Sequence, residues 1–462
     1  MHTRTKIICT IGPSTNSYKA IKELALAGMN VVRINMSHAD HDSAKKIISY
    51  VTKFNNNNRS KVAVLLDTQG PEIRTGDREL PMDLKLGDMV SLTVRDEIDV
   101  ETSSIKINYK DLIKSVKKGS RISVDNGLIN FEVISKDHET LECKVLDGGK
   151  LGSKRHVNLP GVRINLPSIT AKDIDDIQFG ISQKVDFIAL SFVRNAKDVA
   201  ELNKILIDHK SSAKIISKIE NYDGLTNIDE ICMSSWGVMV ARGDLGIETS
   251  LTNLPNIQRK IMHSCAKHGK RSIVATHLLE SMIKNPTPTR AEVTDIANAI
   301  YEGTDAVMLS GETSIGKYPV ECIKFIKTIA QETEKFKTLG YEKNLILNSD
   351  WKHIGQTAKN LAESINANGI IAITRTGATA SFIASAKPNG VPIFTFTNNE
   401  ITHRQLSLVG STIGFFLDDI SNHDKTILEC KKILKKQFDA NEKLKFIIVS
   451  GIFSEKHSDA IQ

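Results

Sequence analysis

No stretch of about eighteen apolar residues occurs in the chain, so an ordinary membrane-spanning helix is excluded. Cysteine is sparse. The six cysteines, Cys9, Cys143, Cys232, Cys265, Cys322 and Cys430, are widely scattered, with no CxxC pair and no finger spacing. That excludes a zinc finger or a dithiol redox motif and leaves reduced thiols in a core. Aromatic residues make up only 5% of the chain, and the net charge of +7 is spread without long Lys/Arg blocks. A nucleic-acid surface would interleave the two, so small anionic substrates fit better. The start, Met1-His2-Thr3-Arg4-Thr5-Lys6, runs into an apolar strand pattern without the apolar region of a signal peptide, and a cytoplasmic location is expected.

What is present is ample core. With 462 residues, 40% hydrophobic and 25% charged, the chain can form about three domains. Eight short apolar runs alternate with helical stretches: 6–12 (KIICTIG), 31–37 (VVRINMS), 62–68 (VAVLLDT), 187–192 (FIALSF), 214–220 (KIISKIE), 237–244 (GVMVARGD), 272–277 (SIVATH) and 306–313 (AVMLSGET). Runs apolar throughout suit parallel strands buried on both faces, and eight of them predict a closed (β/α)₈ TIM barrel, an α/β fold.

Two other regions interrupt or follow this pattern. Residues 71–165 change to alternating strands with turns at Asp125-Asn126-Gly127 and Asp147-Gly148-Gly149, an inserted small β-barrel lid domain. Residues 338–462 carry further strands near 369–374, 391–396, 412–417 and 445–450, a C-terminal open α/β regulatory domain. The barrel is therefore expected in two parts, 1–70 and 166–337. The run 55–58 is expected as a solvated loop tip, and 454–462 as a loose tail.

Barrels of this kind carry their chemistry at the C-terminal strand ends. Here those ends offer Arg33, Asn35, Ser37, Asp67, Thr68, Lys218, Glu220, Asp244, Thr276, Ser310 and Glu312. Glu220 and Asp244, on neighbouring strands, suit Mg²⁺, which takes one or two carboxylates plus water and substrate oxygens. Ion pairing with Lys218 or Arg242 is the other use of the same carboxylates. Asn35, Ser37, Asp67 and Thr68 supply hard oxygens with one formal charge, a set for a monovalent cation or for a hydrogen-bonded network. Arg33 and Lys218 place two positive charges where a phosphoryl group could lie between them and the metal. The Gly243-Asp244-Leu245-Gly246 turn opens a helical stretch whose N–H groups can meet an anionic oxygen. His38 and His41, three residues apart, are assigned to surface or nucleotide contact rather than to a metal.

The segments KIICTIGPS, MNVVRINMSH, LLDTQGPEIRTG, GSKRHVNLPG, SKIEN, MVARGDLGIE, ATHLLESM, PTPTRAEVTDIANA and DAVMLSGETSIGKYP, in this order, resemble the pyruvate kinase pattern over about three hundred residues. The resemblance implies transfer of a phosphoryl group from phosphoenolpyruvate to ADP in a homotetramer. It implies Mg²⁺ on Glu220 and Asp244, and K⁺ on Asn35, Ser37, Asp67 and Thr68, with Glu72 the residue type of K⁺-requiring members. Arg33 would contact the phosphoryl group and Lys218 the enolate oxygen. Thr276, backed by Ser310 and Glu312, would lie on the proton route to the enolate carbon, and the backbone of Gly243 and Asp244 would take the substrate carboxylate. Pro13, Asn35, His38, Arg74 and Lys154 fall at nucleotide positions, where ADP or ATP would bring a second Mg²⁺.

Four residues depart from the pattern: Gln69 for the usual Lys, Asn126 for the second Asp of a lid signature, His277 for Gln, and Ser43 where many members have Tyr. In the last domain, Thr374, Thr376, Gly377 and Thr379 form a strand-to-helix loop suited to phosphate, or a plain capping loop. The resemblance implies an allosteric effector there, a phosphorylated metabolite. The Gly-rich segment that closes such a site is not recognisable in 451–462. Two competing functions are a phosphoenolpyruvate-using lyase or mutase, which needs no nucleotide lid, and a silent metabolite sensor, which needs no Lys218, Glu220, Asp244 or Thr276.

Overall fold

A computed structural model describes residues 3–95, 104–125, 127–162, 164–438, 444–450 and 460–461. Strands β1 (Lys6–Thr10), β2 (Val31–Asn35), β3 (Ala63–Asp67), β4 (Phe187–Leu190), β5 (Lys214–Ile219), β6 (Gly237–Ala241), β7 (Arg271–Ala275) and β8 (Ala306–Leu309) close into a barrel in sequence order. Every neighbouring pair is parallel, including β8 with β1. The continuous apolar runs follow from two buried faces: Val31, Leu65, Phe187, Ile216, Met239 and Ile273 fill the barrel, while Val32, Ile34, Val64 and Leu66 pack against the surrounding helices.

The strands end sooner than the apolar runs. After β6 the chain turns at once into the helix Arg242–Glu248, so Asp244 sits in the first turn of a helix rather than at a strand end. Ser310 likewise caps the short helix Gly311–Ser314 beyond β8. Both residues remain at the barrel mouth, because the helix starts where the strand stops. The expected loop tip at 55–58 is corrected: Asn55 lies within the helix His41–Asn57 and is buried. Its amide donates to Val62 O and accepts from Val62 N, both at 2.8 Å, which satisfies the backbone just before β3.

The insertion contains a six-stranded sheet in the order Val157–Asn158, Arg121–Val124, Ile129–Lys136, Thr140–Asp147, Met89–Thr93, Ser104–Lys106, with its own apolar core. Asn126, one of the departures, lies outside the described residues, as does 451–459. In the last domain, strands β9 (Gly369–Ile373), β10 (Ile393–Thr397), β11 (Thr412–Phe416), β12 (Phe446–Ser450) and β13 (Ala460–Ile461) form a sheet ordered β11-β10-β9-β12-β13. All pairs are parallel except β12 with β13.

This domain docks at the barrel's N-terminal end, which leaves the opposite mouth free. Lys6 Nζ at the start of β1 donates to Thr412 O at 2.7 Å, and Arg271 Nη2 at the start of β7 reaches Ser385 Oγ at 2.5 Å. Arg404 Nε pairs with Asp186 Oδ1 at 2.9 Å, just ahead of β4. Burial pushes the Asp186 carboxyl up to about 6 even though Arg404 pulls the other way. The folded pKa is therefore above the unfolded one, so this site's stability contribution is full below about 3.8 and is lost as pH rises through about 6. Arg404→Met removes the partner of a buried carboxylate, a loss of about 3–5 kcal/mol where the group is ionised. Thermal melts at pH 5 and pH 8 check this: the gap between wild type and Arg404→Met is expected to widen at pH 8.

All six cysteines are free and buried. No helix among the described residues is long and apolar enough to cross a membrane.

Candidate active site

At the barrel mouth, under the inserted sheet, a cavity of about 310 Å³ is lined by Arg33, Asn35, Ser37 and His38 of the β2 end, Lys218 and Glu220 of the β5 end, and Asp244. Gln69, Glu72, Arg74, Asp125, Lys154, Arg155, His156 and Phe192 complete the wall. Arg33 and Asp244, more than two hundred positions apart in the sequence, thus share one pocket.

Its charges are tightly linked. Lys218 Nζ lies 3.0 Å from Asp67 Oδ1 and 3.0 Å from Glu220 Oε1, and it donates to Ser191 Oγ at 2.7 Å. Arg33 Nε pairs with Asp67 Oδ2 at 2.6 Å, and its Nη1 donates to Thr10 Oγ1 at 3.0 Å. Burial works against charge on Lys218, but Asp67 and Glu220 outweigh it and hold the ammonium above its ordinary value. Lys218 therefore stays cationic at neutral pH and acts as a fixed charge. Asp67, also buried, is held low by Lys218 and Arg33. Burial, reinforced by Asp244, pushes Glu220 up to about 7 against the pull of Lys218. Asp244 is raised chiefly by burial as well.

Buried Glu220 and half-buried Asp244 both resist ionisation, and with the Lys218 ammonium already shared with Asp67 their negative charge is under-compensated. A divalent cation relieves that, so the residues fit Mg²⁺. Glu220 is oriented by the Phe192 N–H, which donates to its Oε2 at 2.7 Å; Phe192 adopts φ 54°, a left-handed backbone that aims this N–H. The ion-pair use of these carboxylates is realised for Glu220 with Lys218. It is not realised for Arg242, which pairs with Asp295 instead.

The oxygens read as a monovalent-cation set are partly engaged. Asn35 Oδ1 accepts from Ser37 N at 3.2 Å, and Thr68 Oγ1 donates to Ala189 O and accepts from Ser191 N, both at 3.2 Å. Asn35 and Ser37 line the cavity, whereas Asp67 and Thr68 are buried and are not among its lining residues. Glu72 accepts from Gln69 Nε2 at 3.1 Å and from Arg74 Nε at 2.6 Å, so Gln69 supplies a hydrogen bond where a Lys would supply a charge.

Thr276 stands just past β7 with its Oγ1 accepting from Gly243 N at 2.8 Å and donating to Ala275 O at 2.6 Å. The Gly243 N–H expected to meet a carboxylate is thus on Thr276 here. Glu312 is fully buried and accepts from Leu279 N at 3.0 Å and Ser310 N at 2.8 Å, while Ser310 Oγ is buried without a partner among the described residues. No hydrogen bond joins Thr276 to either of them among the described residues.

Of the nucleotide positions, Asn35, His38, Arg74 and Lys154 line the cavity. Pro13 lies exposed on the loop after β1 and is not among the lining residues. Ser43 is consumed locally: its N–H and hydroxyl both bond Asp40 in a capping box, which explains a small residue at that position. His41 pairs with Asp176 at 2.9 Å and stacks on Phe179. Sequence reasoning missed Ser191 and His156. Ser191 is the one polar residue of the FIALSF run, just past the end of β4, and could have been read there. His156, whose Nδ1 is 3.6 Å from Asp244 Oδ1, comes from the lid and becomes visible only once the lid is folded over the mouth.

In the last domain Thr374 Oγ1 accepts from Gly377 N at 3.0 Å, and Gly377, at φ 83°, begins the helix Ala378–Ser385. Thr374 and Thr379 are buried and Thr376 is exposed.

Comparison with known proteins settles the family. The family model "Pyruvate kinase, barrel domain" matches residues 2–323, and "Pyruvate kinase, alpha/beta domain" matches 352–461. The chain belongs to the pyruvate kinase family. It is 41% identical to plastidial pyruvate kinase 2 of Arabidopsis thaliana over 94% of this chain and 75% of that protein. It is 43% identical to the pyruvate kinase of Staphylococcus aureus strain MRSA252 over 88% of this chain and 70% of that one. The crystal structure of a pyruvate kinase from Cryptosporidium parvum superposes with a TM-score of 0.93 at 34% identity, covering 100% of this chain and 95% of that chain. The protein is a kinase, a phosphoryl-transferring enzyme of the pyruvate kinase type, and this type implies phosphoenolpyruvate and ADP as substrates and a need for divalent and monovalent cations.

Proposed function

We propose that the mouth cavity carries out phosphoryl transfer from phosphoenolpyruvate to ADP, giving pyruvate and ATP as the last step of glycolysis, with Mg²⁺ and K⁺ as the cations. The observation that carries this reading is the Arg33, Asp67, Lys218, Glu220 cluster, two cations and two carboxylates within 3.0 Å contacts at one strand-end layer. Phosphoryl transfer needs position and charge neutralisation far more than a covalent intermediate.

Glu220 and Asp244 would hold Mg²⁺, which supplies Lewis-acid neutralisation of oxygen charge. Asn35, Ser37, Asp67 and Thr68 would hold K⁺. Arg33 binds the phosphoryl oxygens. Lys218, kept cationic by its carboxylate neighbours, stabilises the enolate oxygen without giving up its proton. Protonation at carbon is assigned to the route through Thr276, and the Ser310 hydroxyl, buried and unpartnered, is free to order a water behind it. The N–H groups of Gly243 and Asp244 take the substrate carboxylate once Thr276 releases Gly243. His38, Arg74 and Lys154 receive the nucleotide, with Asn35 and Pro13 at its edge.

We divide the chain into barrel parts 1–70 and 166–337, lid 71–165 and regulatory domain 338–462, a division that the separate sheets and cores support. We assign the Thr374, Thr376, Gly377, Thr379 loop to a phosphorylated metabolite that activates the enzyme in a cytoplasmic homotetramer, through a shift between tetramer states. A lactate-dehydrogenase-coupled assay tests both parts. Activity should require a divalent cation and rise at least about tenfold with K⁺ over Na⁺, and a screen of sugar phosphates and nucleotides should convert sigmoidal phosphoenolpyruvate curves to hyperbolic ones. Equal rates in the two salts would reject the K⁺ assignment, and hyperbolic curves without any effector would reject the regulatory one.

A further inference from the structure

Beyond the residues that meet substrate, the structure contains a clamp on a loop at the barrel mouth whose backbone is strained at two consecutive residues. Thr276 and His277 both lie in the left-handed region, at φ 68° and 54°. That region is unfavourable for any side chain and most of all for a β-branched one, so two in succession persist only where neighbouring groups hold them. The neighbour is Arg242. Its Nε donates to Ala275 O and Thr276 O, both at 3.2 Å, and its Nη2 donates to Thr276 O at 2.6 Å and His277 O at 3.4 Å. Its Nη1 donates to both oxygens of Asp295, at 2.8 and 2.7 Å.

Each of the three guanidinium nitrogens is thus engaged by oxygens of the protein. The side chain is buried and its charge is answered by Asp295, which comes from the helix Arg290–Tyr301. The next residue, Gly243, holds the Thr276 hydroxyl from the other side. Thr276 is therefore gripped at its carbonyl by Arg242 and at its hydroxyl by the following peptide, both from the first turn of one helix.

We propose that Arg242 and Asp295 are positioning residues: together they hold the strained Thr276–His277 turn so that the Thr276 hydroxyl faces the substrate. This rests on Thr276 lying on the proton route, and the test separates the two. Asp295→Asn keeps the shape and removes the charge that anchors Arg242; Asp295→Glu keeps the charge. Hydrogen exchange of the whole protein is followed by mass spectrometry over the peptide containing residues 271–279, together with solvent deuterium exchange into the pyruvate methyl group, kcat and the KM for phosphoenolpyruvate.

Asp295→Asn is expected to speed amide exchange in that peptide and to lower kcat and methyl exchange, each by about fivefold or more, with KM changing less than about threefold, and Asp295→Glu to recover most of this. Thr276→Ala with Asp295→Asn should be no slower than Thr276→Ala alone, because both act on one hydroxyl. Unchanged amide exchange in Asp295→Asn, or effects that multiply in the double variant, would overturn the proposal. Faster amide exchange in Asp295→Asn with normal methyl exchange in Thr276→Ala would uphold the clamp and overturn the proton role of Thr276.

Discussion

Lys218→Met is expected to lower kcat by about 100-fold or more while the thermal unfolding transition stays cooperative. The effect is electrostatic. Lys218 is the cation between Asp67 and Glu220, each 3.0 Å from its Nζ, and those carboxylates keep it charged at any pH where the enzyme works. In the proposed reaction it would face a developing enolate oxygen that methionine, of similar length but neutral, cannot compensate. The variant also leaves Asp67 with Arg33 as its one remaining cation and returns Glu220 to a site crowded with negative charge. Glu220 should then bind a proton more tightly, so the acid limb of the pH–rate profile should move to higher pH. A loss of less than about tenfold in kcat would contradict the role.

Glu220→Gln should weaken activation by the divalent cation by at least about tenfold and depress turnover with it. The sign of the pH effect follows from the raised carboxyl of Glu220, pushed to about 7 by burial and by Asp244. Without the cation, the folded protein favours the protonated group, so this site stabilises the fold fully below the unfolded value of about 4.5 and loses that stabilisation as pH rises through about 7. A divalent cation held by the ionised form would reverse the trend. Melting temperature with and without Mg²⁺, taken between pH 6 and 8, should show a cation-induced rise that grows with pH in wild type and is nearly flat in Glu220→Gln. Equal rises at both ends in wild type would contradict the assignment.

The strand-end residues that carry these expectations were legible before any coordinates, because parallel strands buried on both faces leave a distinctive record: apolar runs that stop at one polar residue. Arg33, Asp67, Lys218 and Glu220 were found that way, and all four meet at one layer of the barrel. Sequence reasoning failed where a residue's meaning depends on what folds against it. Asn55 reads as a loop asparagine until its amide is seen pairing both backbone groups of Val62. Asp244 reads as the tip of a strand because VARGD continues the apolar run, yet the chain coils into a helix at Arg242.

Arg242 itself looked like a partner for Glu220 or Asp244, since charge alone cannot say which carboxylate a guanidinium will meet. Its partner, Asp295, arrives from a helix more than fifty residues on. His156 belongs to the lid, so its approach to Asp244 is a property of two sheets brought together and of neither alone.

In the proposed reaction one pocket holds the metal and the migrating phosphoryl group against Arg33 and Lys218. Electron paramagnetic resonance of enzyme-bound Mn²⁺, recorded with phosphoenolpyruvate carrying ¹⁷O on its phosphoryl group, tests it most directly. Line broadening in wild type that disappears in Glu220→Gln is the predicted result; sharp, identical lines in the two proteins with phosphoenolpyruvate bound would contradict it.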